Sequence, residues 1–185
     1  MSLPYNKISS LDDAVWIALG SNLRGSYDSV QALLEAALER FPEFRLKVSA
    51  SSRWWRSTAW PDTAHPEYLN SVVLVETCLD PCEIMKSLLT IEDAFGRHRG
   101  RPNQPRTLDL DLIAHGRLVK DAPGLILPHP RAHERRFVMG PLAEIAPDWI
   151  HPVLGRPAAE LAARASVGVD AAPIDDFRGD GTSRG

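Results

Sequence analysis

Apolar and polar positions alternate in some stretches of this chain and recur every three to four residues in others, and the switches between the two periods lay out its elements. Val15-Trp16-Ile17-Ala18-Leu19 is a short apolar run that reads as a strand. It closes at Gly20-Ser21-Asn22, a cluster that serves equally as a plain turn or as a backbone cradle for phosphate. From Ser26 the period becomes helical, with Val30, Leu33, Leu34, Ala37, Leu38 and Phe41 on one stripe and Pro42 closing the segment. Residues 47–55 and 69–77 read as two more strands. Asp80-Pro81-Cys82-Glu83 then supplies an acidic N-cap, a proline at the first helical position and a glutamate at the third, and Ile84, Leu88, Ile91 and Phe95 give that helix its buried stripe up to Gly96.

The alternation is sharpest in Arg106-Thr107-Leu108-Asp109-Leu110-Asp111-Leu112-Ile113. As a strand, it places Leu108, Leu110 and Leu112 on one face and Asp109, Asp111 and Ile113 on the other. Beyond it, His115-Gly116 predicts a tight turn into Arg117-Leu118-Val119 as an added hairpin strand, and residues 138–145 and 158–165 read as helices. Strand, helix, strand, strand, helix, strand is the order of the ferredoxin-like βαββαβ unit, an α+β fold, here with an added hairpin strand and C-terminal helices. Helices cover one face of such a sheet, so the leucines of the fourth strand should pack on them and the aspartates should line the open face. Residues 1–13 lack a period and read as a flexible leader, 14–165 as a single domain, and 166–185, polar and glycine-rich towards Gly179-Asp180-Gly181, as a disordered tail.

The acid pair changes the picture from fold to chemistry. At about 3.3 Å per residue the two acid-bearing Cα atoms lie roughly 7 Å apart. Two unit charges at that distance repel by roughly 2 kcal/mol at an effective dielectric near 20. A solvent-facing strand tolerates this. A divalent cation resolves it, and Mg²⁺ suits the case because it takes one or two carboxylates and completes its shell with water and phosphate oxygens. The preceding loop, Arg97-His98-Arg99-Gly100-Arg101-Pro102-Asn103-Gln104-Pro105-Arg106, carries four arginines whose planar forks bind phosphate oxygens in pairs, which points to a metal-bound polyphosphate. Glu92 sits near a helix C-terminus, where a carboxylate is poorly placed against the dipole; either a functional demand or simple exposure accounts for it.

A long connection, residues 56–68, holds two prolines and two aromatics, and loops of that length inside compact domains are often functional. Tyr68 and Asn70 share parity, so a ring and an amide stand side by side: a pair that suits a flat heterocycle, or else a surface tyrosine beside a capping asparagine. Pro128-His129-Pro130-Arg131-Ala132-His133-Glu134-Arg135-Arg136-Phe137 again mixes cations with an aromatic. His129 and His133 have helical metal-ligand spacing but lack the further ligands of a zinc site.

Composition narrows the classes. With 185 residues, 44% hydrophobic and 24% charged, the chain has enough apolar material for one proper core. A formal charge of -3 speaks against a general nucleic-acid binder. No apolar run approaches a membrane span and no signal-peptide core opens the chain, so a cytoplasmic protein without a membrane partner is expected. The only cysteines, Cys78 and Cys82, make no disulfide framework.

Taken together, Ile17-Ala18-Leu19-Gly20-Ser21-Asn22-Leu23, Tyr68-Leu69-Asn70, Glu92 with Gly96-Arg97, Pro105-Arg106-Thr107-Leu108-Asp109-Leu110-Asp111, and Pro128-His129 with Arg135 and Phe137 resemble the 6-hydroxymethyl-7,8-dihydropterin pyrophosphokinases of the folate pathway, from about Trp16 to Leu161. The resemblance implies transfer of the β,γ-pyrophosphoryl group of ATP to the pterin's hydroxymethyl oxygen, with release of AMP. It implies that Asp109 and Asp111 hold two Mg²⁺ ions and act in catalysis with Arg97 and Arg106. It puts the pterin between Tyr68 and Phe137, with Asn70 reading its edge and Thr58 and Trp60 nearby. Arg97, Arg99, Arg106, His129 and Arg135 would contact ATP phosphates, and Glu92 would lie in the nucleotide pocket. The expected partners are the two small-molecule substrates, bound by a monomer. Asn103, Gln104 and Pro130 depart from the family's usual residues and bear on how the basic loop closes. Three rivals stand beside this reading: an RNA-binding module using the open sheet face, a divergent homologue that binds pterin or nucleotide without turnover, and a metal-dependent phosphohydrolase.

Overall fold

The first strand, β1 (Val15–Ser21), is buried at all seven positions because the sheet is covered on both faces. Its odd residues Val15, Ile17 and Leu19 enter one core and its even residues Trp16 and Ala18 enter another. In this computed structural model, which describes residues 10–59, 63–96 and 107–174, β1 leads to α1 (Val30–Glu39), capped by Ser29, whose hydroxyl accepts from Ala32 N–H at 3.0 Å. The chain continues through β2 (Lys47–Ser51), β3 (Trp55–Ser57), β4 (Tyr68–Glu76), α2 (Pro81–Ala94) and β5 (Asp109–His115). Both halves of the predicted capping box form at α2: Glu83 N–H donates to Asp80, and Asp80 N–H donates to Glu83.

The sheet runs β5-β1-β4-β3-β8, the last being the short β8 (Ala172–Pro173), with β2 also paired to β4, and its neighbours are antiparallel. Inserting β4 between β1 and the β2–β3 stretch makes the split βαβ arrangement of the ferredoxin-like fold. Leu108, Leu110 and Leu112 pack with Leu33, Leu34, Ile84, Leu88 and Ile91 of α1 and α2, as the alternation requires. The opposite face is not fully open. After the hairpin β6 (Lys120–Ala122) and β7 (Leu125–Leu127), α3 (Arg136–Ile145) and α4 (Ala158–Arg164) lie over it, and Val138, Met139 and Leu142 bury Trp16, Ala18, Val72 and Ile113. Only one end of that face stays uncovered. Among the described residues no helix is long and apolar enough to cross a membrane.

Four expectations are corrected. The strand expected over 47–55 is two strands, because Ser52 turns its hydroxyl to Val72 N–H and Ser71 and breaks the ladder. The added hairpin strand lies at Lys120–Ala122, not at Arg117-Leu118-Val119, and pairs with β7 instead of β5, which lets Leu125 and Leu127 join the first core. The flexible leader does not reach residue 13: Leu11–Asp13 form a 3₁₀ turn capped by Ser10. The disordered tail does not hold for residues 166–174, where Ser166 and Val167 N–H both donate to Glu134 O and β8 (Ala172–Pro173) pairs with β3. Residues 1–9 and 175–185 lie outside the described residues.

Candidate active site

The uncovered end of the sheet carries one cross-strand row. Gly20 of β1 is paired on one side with Asp109 of β5 and on the other with Asn70 of β4, and Asn70 is in turn paired with Trp55. With strands about 4.8 Å apart, the backbones of Asp109 and Asn70 are roughly 10 Å from each other. The missing side chain of Gly20 leaves the space between them clear: a Cβ there would stand 3.2 Å from Asn70 Oδ1 and 4.0 Å from Tyr68 Cδ1. Above the row opens a cleft of ≈ 740 Å³, open solvent included, walled by Tyr68, Asn70, Thr58 and Phe137 on one side and Asp109, Arg131 and Arg135 on the other.

The first half is set by hydrogen bonds. Asn70 is buried, and its Nδ2 donates to Ser57 Oγ at 3.0 Å and towards Trp55 O at 3.4 Å, so the amide presents Oδ1 as an acceptor. Thr58 N–H donates to Asp170 Oδ2 at 2.6 Å, the bond that chiefly holds the Asp170 carboxyl below its ordinary range. Asn22, buried just past the end of β1, donates from Nδ2 to Pro66 O and pins the 56–68 connection against the cleft. Ser21 and Asn22 thus serve the fold, and Gly20 belongs to the strand and not to a turn.

The second half is charged. Asp109 and Asp111 share a face of β5, and Arg135 Nη1 stands 4.0 Å from Asp111 Oδ2, with the two side chains 23% and 36% exposed. The Arg135 guanidinium also lies 5.8 Å from the centre of the Phe137 ring. Burial lowers the pKa of Arg135, and Asp111 works against that shift. His129 is tied to β5 by its N–H to Ile113 O at 2.8 Å, and its Nδ1 accepts from Arg131 N–H, which puts the ring proton on Nε2. Burial first, and then the Arg135 charge, push His129 down to about 4, so at neutral pH it is an uncharged N–H donor. Glu92 is fully buried and its Oε1 accepts from Leu110 N–H at 2.7 Å, between the two aspartates.

Among the described residues no group of three or more His, Cys, Asp or Glu side chains converges as a metal cage. Two carboxylates on one strand face, Asp109 lining the cleft and Asp111 beside Arg135, make the donor set that Mg²⁺ uses when water and phosphate oxygens complete its shell, so the residues present fit the ion.

Of the residues singled out in the sequence, Thr58, Tyr68, Asn70, Asp109, Arg135 and Phe137 line one cleft, Asp111 joins it through Arg135, and His129 flanks it. Glu92 reaches it through the backbone of β5. Trp60, Arg97, Arg99 and Arg106 lie outside the described residues. Arg131 and Val167 also line the cleft and escaped the sequence reading. Its place two residues after His129 is the one available signal for Arg131; Val167 had none, because no periodic pattern surrounds it.

A model of the family described as 7,8-dihydro-6-hydroxymethylpterin-pyrophosphokinase (HPPK) matches residues 16–147. A 2-amino-4-hydroxy-6-hydroxymethyldihydropteridine pyrophosphokinase of Synechocystis is 40% identical over 146 residues, 78% of this chain and 72% of that protein. The Pseudomonas aeruginosa protein of the same name is 40% identical over 134 residues, covering 72% of this chain and 81% of its own length. The folic acid synthesis protein fol1 of Pneumocystis carinii is 36% identical over 148 residues, and this chain spans only 20% of it. A crystal structure of Plasmodium falciparum HPPK-DHPS superposes with a TM-score of 0.66 at 12% identity, over 87% of this chain and 46% of that one, and supports the fold alone. With the family model matching most of the chain and relatives at this identity, the chain belongs to the 7,8-dihydro-6-hydroxymethylpterin-pyrophosphokinase family.

Proposed function

We propose that this chain transfers the β,γ-pyrophosphoryl group of ATP to the hydroxymethyl oxygen of 6-hydroxymethyl-7,8-dihydropterin, forming the pterin diphosphate and AMP, and that the cleft described above is where it does so. The observation that carries this reading is the row Asp109–Gly20–Asn70, which sets an acid strand beside a slot for a flat heterocycle with nothing but a glycine between them. In this reading the pterin ring lies between Tyr68 and Phe137, and an N–H on its edge donates to Asn70 Oδ1. Aromatic faces hold a flat ring and one fixed amide reads its register.

Asp109 and Asp111 would hold two Mg²⁺ ions, which when bound would offset polyphosphate charge and make the attacking hydroxyl more acidic. Arg135, already turned towards Asp111, and the Nε2–H of neutral His129 bind phosphate oxygens at the same end. Arg97, Arg99 and Arg106 complete the phosphate contacts. Two substrates held by rigid strands reach the in-line geometry that displacement at the β-phosphorus needs, the bond from the pterin oxygen forming as the bond to the AMP oxygen breaks. No covalent enzyme intermediate enters. The enzyme works in this reading as a cytoplasmic monomer on two small molecules. The RNA-binding alternative loses its platform, because α3 and α4 cover most of the sheet face it would use.

The test is AMP formation from ATP and Mg²⁺ with and without 6-hydroxymethyl-7,8-dihydropterin. Pterin-dependent AMP in equal amount to the pterin diphosphate is expected. Release of inorganic phosphate without need of the pterin would identify a phosphohydrolase, and binding of either substrate without AMP would identify a divergent binder.

A further inference from the structure

Residues 166–174 lie beyond the 16–147 that the family model matches, and no step above uses them. They nevertheless cross the pterin side of the cleft. At one end Ser166 and Val167 N–H donate to Glu134 O at 3.0 and 2.9 Å, and Arg136 N–H returns a bond to Val167 O at 2.8 Å. This sews the segment to the N-terminal end of α3, where Arg135 and Phe137 lie. At the other end Ala172 and Pro173 pair with Arg56 and Trp55, and Ile174 N–H donates to Trp54 O, which fastens it to the strand leading into Thr58. The segment therefore bridges two elements that both contribute to the cleft wall.

Three positions along it bear on the cleft, one by lining it and two by touching residues that line it. Val167 lines it directly. Gly168, at φ +65°, lies against the edge of the Phe137 ring, where a Cβ would stand 2.5 Å from Cδ1 and 3.1 Å from Cε1. Asp170 accepts from Thr58 N–H at 2.6 Å. An aromatic ring cannot bend away from such a contact; it can only shift as a whole, and a stacked ligand shifts with it.

We propose that residues 166–174 form a strap that shapes the pterin slot: Val167 is a specificity-determining wall residue, and Gly168 and Asp170 are positioning residues for Phe137 and Thr58. The proposal rests on the reading of this cleft as the pterin site. A branched apolar side chain beside two rings suits the edge of a flat heterocycle that carries few substituents, and it leaves the nucleotide end untouched. Arg135 meets the strap only through its backbone, by a bridge to Val167, while its guanidinium is oriented by Asp111 and Phe137.

The experiment is steady-state AMP formation by the full chain, with KM for pterin and for ATP measured separately in the unaltered protein and in Gly168→Ala, Asp170→Ala, Asp170→Asn and Val167→Ala, with Phe137→Ala as reference. Gly168→Ala and Asp170→Ala should raise KM for the pterin about tenfold and leave KM for ATP within about twofold. Asp170→Asn should stay near the unaltered protein, since its amide oxygen still accepts from Thr58. Val167→Ala should raise KM for the pterin several-fold and relax discrimination against bulkier ring substituents. Should Gly168→Ala fail to fold, the Asp170 pair and Val167→Ala decide the matter. Unchanged pterin KM in those variants, while Phe137→Ala loses pterin affinity, overturns the strap and spares the pterin site; so does an equal rise in both KM values. Absence of pterin-dependent AMP with the unaltered chain overturns the underlying reading instead.

Discussion

Asp109 and Asn70 flank a single residue, each paired in the sheet with Gly20, so the strand that separates the acid from the amide contributes no side chain to the space between them. A Cβ at Gly20 would meet Asn70 Oδ1 at 3.2 Å, and Asn70 cannot retreat freely because Nδ2 is held by Ser57 Oγ. Gly20→Ala should therefore displace the amide by a few tenths of an ångström. The expected result is a pterin KM raised about five- to tenfold with a much smaller change for ATP, and a fold that is intact by circular dichroism. An unchanged pterin KM, or the same fold-change in both KM values, would show that the amide does not read the pterin.

Removing either aspartate should stop turnover before it disturbs the fold. Asp109 lines the cleft and Asp111 shares its strand face, both partly exposed, so Asp109→Ala and Asp111→Ala lose little packing. A loss of about a hundredfold or more in kcat is expected for each, with little change in melting temperature, because charge stabilisation at the transferring group is the main contribution a site of this kind makes. Near-full turnover in either variant, measured as AMP at saturating Mg²⁺, would refute the metal assignment.

How much of this was legible in the sequence depends on what holds each part. The alternation of Leu108, Leu110 and Leu112 with Asp109 and Asp111 gave the face of β5 directly, because burial on one side only is what alternation records. Asp80 and Glu83 announced α2 because a capping box is made of local side chains. Tyr68 and Asn70 were paired by parity alone. Arg135 and Phe137 came to the cleft by resemblance to a family, since their joining to β5 is a tertiary event. The strap was read as disorder because backbone bonds hold it: Glu134 O, Trp54 O and Arg136 N–H leave no trace in residue type. The break between β2 and β3 has the same origin, a single serine hydroxyl that takes the place of a ladder bond.

Glu92 is best understood as a support for the acid strand. Fully buried, it accepts from Leu110 N–H, the amide between Asp109 and Asp111. Glu92→Gln keeps an acceptor of the same length, and Glu92→Ala leaves a buried N–H unmet, at a cost of about 1–3 kcal/mol. Glu92→Ala should accordingly lower the urea midpoint and kcat together, and Glu92→Gln should restore most of both. A glutamine variant as impaired in kcat as the alanine one, but with normal stability, would mean that the charge itself acts on the nucleotide.

Acid should destabilise the fold through a buried histidine. His151 is buried, its Nδ1 accepts from Val153 and Leu154 N–H, and its ring packs edge-on against Trp149 and His133. Burial first, and then the neighbouring His133, push its pKa down to about 4 from an ordinary 6.5. In the unfolded chain it takes up a proton near pH 6.5 that the folded chain refuses until about pH 4, so folding stability is full above pH 6.5 and falls as the pH drops through that window. Between pH 7 and 5.5 this one residue should remove roughly 1 kcal/mol, and His129, lowered for the same leading reason, adds to the loss with the same sign. His151→Asn keeps an acceptor for the two N–H groups but has no proton to gain. It should flatten the dependence of the urea midpoint on pH over this interval, and an unaltered slope would assign the acid sensitivity to other groups.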